Sequence, residues 1–253
     1  MVRGIEKFKE YFSNYSGQYT FIGGTACDII LGKMGVDFRQ TKDIDMVLLI
    51  EALNSEFVER FISFIESGGY QHIDKGTDKS QFYRFEKPDN ISFPYMIELF
   101  SKSPDYLQTI ESRLTPVHVS EDVVSLSAIL LDDEYYSLLT EGAVSVDGVS
   151  VLELEYLILF KMKAWLDLCE RKAKGENIDS RNIKKHKNDV LRLAVNIKKE
   201  TKIAISGQIK EDAICFLEQT EKEPIDMKTL GIRGVTYQEV LEDISICYGL
   251  RFL

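Results

Sequence analysis

The sequence predicts a mixed α/β (α+β) chain: a mixed sheet with flanking helices at the front, and a helical C-terminal region behind. Three observations predict it. Short runs of β-branched and aromatic residues punctuated by glycines fill the first 150 or so residues. A long amphipathic pattern begins near Leu152. Nearly everything after it keeps helical spacing. The expected division is therefore 1–150 for the α/β core and 151–253 for the helical region.

In chain order, Tyr19–Ile22 is the first strand, ended by the Gly23-Gly24 turn, and Thr25–Leu31 reads as a helix. Ile44–Ile50 is a strand that is apolar on both faces in its later half, which places it centrally under cover. Phe57–Ile65 has helical spacing and closes at Gly68-Gly69. Tyr70–Ile73, Gln81–Phe85 and Met96–Phe100 are further strands. Val144–Val151 is a hairpin with Asp147-Gly148 at its turn. Leu152–Arg171, Ile183–Lys198, Ile209–Gln219 and Tyr237–Cys247 are the expected helices of the second half.

Composition narrows the class. Of 253 residues, 44% are hydrophobic and 28% charged, enough for a substantial core in a globular chain. No apolar run approaches the roughly 18 residues of a membrane helix, so no membrane partner is expected. Met1–Glu10 is polar and lacks a signal-peptide core. The four cysteines, Cys27, Cys169, Cys215 and Cys247, are far apart with no C-x-x-C pair, which fits reduced thiols in a cytoplasmic protein rather than a zinc site. The net charge of −10 opposes broad, sequence-independent nucleic-acid binding. Two local basic stretches, 171–174 (RKAK) and 181–187 (RNIKKHK), are either solvated helix ends or a local patch.

The chemistry concentrates in carboxylates. Asp43 and Asp45 are two apart at a strand start, so both side chains face the same way. Like charges this close call for a cation between them, and magnesium suits an all-oxygen site. An Asp-x-Asp pair is also found in turns and caps. Gly23-Gly24-Thr25 lies between a strand and a helix, where backbone N–H groups can meet a phosphate, although a Gly-Gly pair is often only a turn. Glu98 interrupts the apolar run 96–100, either as a third acid needing a partner or as a solvated residue on an edge strand.

The runs Phe21-Ile-Gly-Gly-Thr-Ala-Cys-Asp and Thr41-Lys-Asp-Ile-Asp-Met-Val-Leu resemble the nucleotidyltransferase superfamily that includes DNA polymerase β. They are most similar to its branch of AbiEii-type toxins. Residues 19–50 carry the likeness. Glu98 stands where many members have Asp. In the second half, Leu159-Phe-Lys-Met-Lys-Ala-Trp looks like the family's lysine helix and places Lys161 in it, while 184–193 looks like the later helix, with Asp189 at its acidic position. No match extends beyond about residue 200.

The resemblance implies that Asp43, Asp45 and Glu98 hold Mg2+ or Mn2+ and are catalytic, and that Gly23, Gly24 and Thr25 cradle the phosphates of an NTP. Transfer of a nucleoside monophosphate to an acceptor hydroxyl on RNA, protein or a small molecule would follow, with two metal ions roughly 3.5–4 Å apart. An antitoxin protein is the partner the toxin branch implies. The competing expectation is a silent nucleotide-binding or protein-interaction module on the same fold.

Flanking residues carry weaker expectations. Lys161 falls on the stripe Leu154, Leu157, Ile158, Trp165, Leu168, which suits a triphosphate or carboxylate contact or a lysine snorkelling at a seam. Asp189 is a partner for Lys161, part of a nucleotide cleft, or a surface acid. Lys163 and His186 are expected in solvent. Lys42 is expected at phosphate, and Arg39 there or as an exposed loop charge.

Overall fold

The structure is a computed structural model that describes residues 2–49, 51–70, 82–102 and 132–250. It divides into two compact units, Met1–Glu153 and Leu154–Leu253.

The first unit is built on a six-stranded mixed sheet of order β3-β4-β2-β1-β6-β5. Its strands are β1 (Tyr19–Ile22), β2 (Asp43–Leu48), β3 (Phe82–Glu86), β4 (Met96–Ser101), β5 (Ala143–Val146) and β6 (Val149–Leu152). β2 runs antiparallel to β1 and parallel to β4, and β1 runs parallel to β6. The central position expected for the 44–50 run is found: Ile44, Met46, Val47 and Leu48 are fully buried. The hairpin turns at Asp147 and Gly148, both at positive φ (49° and 83°), as a two-residue connection of this twist requires. Of the expected strand 70–73 only Tyr70 is described, and it is not in a strand; residues 71–73 lie outside the described residues, as does Gln81.

The unit's described helices are α1 (Ile5–Phe12), α2 (Gly23–Lys33), α3 (Ser55–Gly68) and α4 (Asp133–Glu141). α1 and α4 were not foreseen. The polar opening reads as charged because only Ile5, Phe8 and Phe12 of α1 are buried, a single narrow stripe. α3 starts at Asn54, whose side chain accepts from the Phe57 N–H, and ends at Gly69 with φ 61°. These are the cap chemistries each terminus favours.

One face of the sheet is an aromatic core. Alternation puts Tyr19 and Phe21 of β1 on that face. Phe8 of α1 packs on both, at ring separations of 5.4 and 5.0 Å, and on Phe64 of α3 at 5.7 Å. Phe12 adds Phe57, Phe61 and Phe64. Truncating one such ring costs about 3–5 kcal/mol. This anchoring fixes the register that turns the alternate residues, among them Asp43 and Asp45, to the opposite face.

The second unit is helical: α5 (Leu154–Ala173), α6 (Ser180–Ala194), α7 (Gly207–Glu221) and α8 (Tyr237–Cys247), with a 3-10 turn at Met227–Leu230. α5 packs on α6 and α7, and α8 on both of those. The predicted stripe of α5 is buried, but so are Tyr156, Leu159, Phe160 and Met162, so the helix is covered nearly all round. α8 begins with a capping box, Thr236 and Glu239 bonding each other's backbone N–H.

Candidate active site

The sheet register brings the distant acids together. Asp45 stands directly beside Glu98 on the parallel pair β2–β4, and Arg84 of β3 stands on Glu98's other side. Paired residues project to one face, and Asp43 shares it with Asp45 because it lies two residues earlier. Asp43 and Asp45 are half-buried, while Glu98 is 6% exposed. The edge-strand alternative for Glu98 is thus excluded: β4 is the second strand of the sheet, paired on both sides.

Burial pushes the Glu98 carboxyl up, to about 9, with the neighbouring Asp45 charge adding to it and Arg84 opposing it. The Arg84 guanidinium binds Glu98 Oε1 through both Nε, at 2.8 Å, and Nη2. This arginine was not singled out from the sequence. It sits on an ordinary alternating strand, and only the antiparallel register of β3 on β4 puts it beside an acid.

Gly23 is the second contact that makes the site. It opens α2 at φ +66°, and a Cβ there would lie 1.7 Å from Asp45 Oδ2. The Asp45 carboxylate is therefore pressed against bare backbone that only glycine leaves free. Gly24 is crowded by the Thr41 side chain, with Oγ1 2.7 Å from a would-be Cβ, and by Arg39 Nη2 at 3.5 Å. The expected Gly-Gly turn is thus the first turn of the helix itself. No side chain caps α2, and no acid occupies its first turn, so its N-terminal N–H groups keep the dipole's positive end.

Thr25 is fully buried and its hydroxyl donates to the Asp43 carbonyl oxygen. It ties α2 to the start of β2, and what it offers a phosphate is its backbone N–H. Lys42 is exposed, with Nζ 5.8 Å from the Tyr95 ring centre. Arg39 is half-buried over Phe38 rather than loose in solvent, its guanidinium carbon 5.1 Å from the ring centre. A cleft of about 720 Å³ lies alongside, lined among others by Asp28, Ile29, Lys33, Phe38, Thr41 and Lys42; none of the three acids lines it.

In the helical unit, Lys161 is 5% exposed and Asp189 fully buried, with Nζ to Oδ2 at 3.4 Å. Of the alternatives for Asp189, the ion pair is the one formed. Arg192 Nη1 stands 3.8 Å from its other oxygen. Lys163, expected in solvent, pairs with Asp212 at 2.8 Å, and Asp212 is 8% exposed. α7 supplies that acid, a contact no local pattern in α5 reveals. His186 is half-buried, not solvent-facing.

The acids test as a metal centre with a divided result. All donors are oxygens on one face, and the Asp45 charge beside Glu98 is one that a cation would offset. Yet among the described residues no three carboxylate, imidazole or thiol groups stand close enough to hold one ion, and Arg84 already occupies Glu98. The half-exposed Asp pair fits a hard divalent cation; Glu98 fits as a third ligand only with Arg84 displaced from it.

No known protein family matches the sequence, and no curated protein does. Among solved structures, the chain is similar to a Megavirus polyadenylate synthase at 10% identity and TM-score 0.42, over 87% of this chain and 36% of that one. It is also similar to an antigenic nucleotidyltransferase-like protein from Paracoccidioides brasiliensis at 14% identity and TM-score 0.40, over 89% and 92%. The chain thus spans about a third of the viral protein's length. Likenesses this distant decide neither substrate nor reaction.

Proposed function

We propose that the chain is a metal-dependent nucleotidyltransferase that moves a nucleoside monophosphate from an NTP to an acceptor hydroxyl. The observation that carries the reading is the register of Asp45 beside Glu98, with Asp43 on the same face and the uncapped start of α2 against Asp45.

The roles divide by position. Asp43 and Asp45 would hold Mg2+ or Mn2+, which when bound supplies Lewis-acid charge stabilisation at the phosphoryl group. The N–H groups of Gly24 and Thr25 point from a helix N-terminus and bind phosphate oxygens. Gly23 keeps the approach to Asp45 open. Lys42 and Arg39 flank this entrance and offset anionic charge. Glu98 would join Asp43 and Asp45 at the metal once Arg84 turns from it to the incoming anion. In such chemistry the protein supplies position and charge more than covalent steps. The Lys161–Asp189 pair fixes α5 against α6 within the helical unit.

The test is transfer from an α-labelled NTP by the wild type and by the Asp43→Asn, Asp45→Asn double variant. Each amide keeps the shape and loses the charge, so transfer should drop at least about 100-fold, the scale of removing a key electrostatic group. Undiminished transfer would rule the reading out.

The Arg84–Glu98 pair favours a second reading, a catalytically silent nucleotide-binding or protein-interaction module whose third acid is permanently neutralised. Calorimetry with NTP and Mg2+ followed by a turnover assay separates the two: binding without turnover selects the module. The likeness to the toxin branch extends the first reading to a toxin held by an antitoxin. Growth arrest on overexpression of the wild type, absent with Asp45→Asn, supports that extension; unaffected growth removes it.

A further inference from the structure

We propose that the helical unit carries a second binding pocket, for a phosphorylated aromatic small molecule of nucleotide size, formed by α5, α6 and the end of α7. It is independent of the carboxylate site and holds whether or not that site is catalytic.

Two basic stretches separated by six residues in the chain, 171–174 and 181–187, meet at this pocket. Its volume is about 630 Å³, within the range of roughly 300–1,000 Å³ usual for small-ligand sites. Lys172 comes from the end of α5, Lys184 and Lys187 from α6, and all three line it. Glu223 is the one acid among its described lining residues, so a local excess of positive charge persists in a chain of net charge −10. That combination selects an anion at one defined spot while the rest of the surface repels polyanions.

The lysines differ in a way that suits a phosphate. Lys187 is 6% exposed, donates to the Glu223 carbonyl oxygen at 2.7 Å and lies over the Tyr237 ring at 5.7 Å. It is a fixed charge that burial makes harder to keep protonated, and an anion would relieve that. Lys172 donates to the Ser180 hydroxyl. Lys184 is exposed and has no carboxylate partner among the described residues. Two or three ammonium groups around one opening match a phosphate or diphosphate.

The aromatic half of the ligand is argued from the wall. Trp165 lines the pocket beside Ile183, Pro224 and Ile225. Its ring is 6% exposed and held edge-on by Phe216 at 5.2 Å, so a small, rigidly held part of it meets the pocket together with the apolar side chains beside it. An aromatic ligand packed against that part of the ring gains about 0.5–1.5 kcal/mol beyond its area burial.

Trp165 is the chain's single tryptophan, so its emission reports the pocket directly. The experiment titrates the full-length protein with ADP in EDTA, which silences any metal-dependent site, reading tryptophan emission and calorimetry in parallel. We expect saturable binding, weaker binding of adenosine and of inorganic pyrophosphate, and about tenfold or greater weakening in Lys172→Ala, Lys184→Ala. Both lysines are exposed, so the variant folds, which circular dichroism checks. The Asp43→Asn, Asp45→Asn variant should bind ADP as the wild type does. The proposal is overturned if neither readout detects ADP, if pyrophosphate binds as well as ADP, if the lysine variant binds unchanged, or if binding vanishes with the aspartates.

Discussion

Replacing Gly23 by alanine tests the geometry on which the carboxylate site rests. Two costs can be worked from the structure. The backbone sits at φ +66°, where a residue with a Cβ loses about 1–2 kcal/mol. The new methyl would also fall 1.7 Å from Asp45 Oδ2 and 2.7 Å from its Cγ. The Asp45 carboxylate must therefore swing away, and repacking of this kind costs a further ~1–2 kcal/mol. The sum, about 3 kcal/mol, lowers Tm by about 6–12 °C.

The two costs separate in an Asp45→Ala background. There the methyl meets no carboxylate, so only the backbone cost remains. A double-mutant cycle by urea denaturation should give a coupling of about 1–2 kcal/mol between positions 23 and 45. Mg2+ binding, read by calorimetry, should weaken in Gly23→Ala because the displaced Asp45 no longer faces Asp43. If Gly23→Ala costs the same in both backgrounds, the close approach is wrong and Gly23 is conserving only a turn.

Three further outcomes follow from buried charge. Arg84→Leu removes a two-point hydrogen bond to buried Glu98, which then holds its proton, and should cost about 1–3 kcal/mol in urea denaturation near pH 7; a loss under about 0.5 kcal/mol contradicts the pair. Lys161→Met takes from fully buried Asp189 the ammonium 3.4 Å from its Oδ2, which should cost about 3–5 kcal/mol, and adding Asp189→Leu should recover most of the loss. Burial holds the Cys169 and Cys247 thiols up at about 11. The folded state thus keeps protons that the unfolded chain releases near 9, and stability should fall as pH rises from about 9 to about 11. Alkylation of both at pH 8, followed by mass spectrometry, should be slow in the folded protein and fast in urea; equal rates refute the burial argument.

Much of the front half was legible locally. The later half of the 44–50 run showed its central place because strands covered on both faces lose alternation, and the Asp pair announced a shared face through the period of two. Helices α5 to α8 followed from helical spacing. α1 escaped because its three buried residues are diluted by charge, and α4 because short, acidic 133–141 has a weak stripe.

What the sequence determined by itself was the inventory of local states: where chain periodicity is two or 3.6, which positions need glycine, and which side chains carry charge into apolar surroundings. What only the tertiary structure decided was adjacency. Asp45 next to Glu98, Arg84 across from it, Lys163 on Asp212 and two basic stretches around Trp165 all depend on strand register or helix packing. Periodicity is a property of near neighbours along the chain, whereas register and packing are set by the whole core closing at once, so no local pattern encodes them.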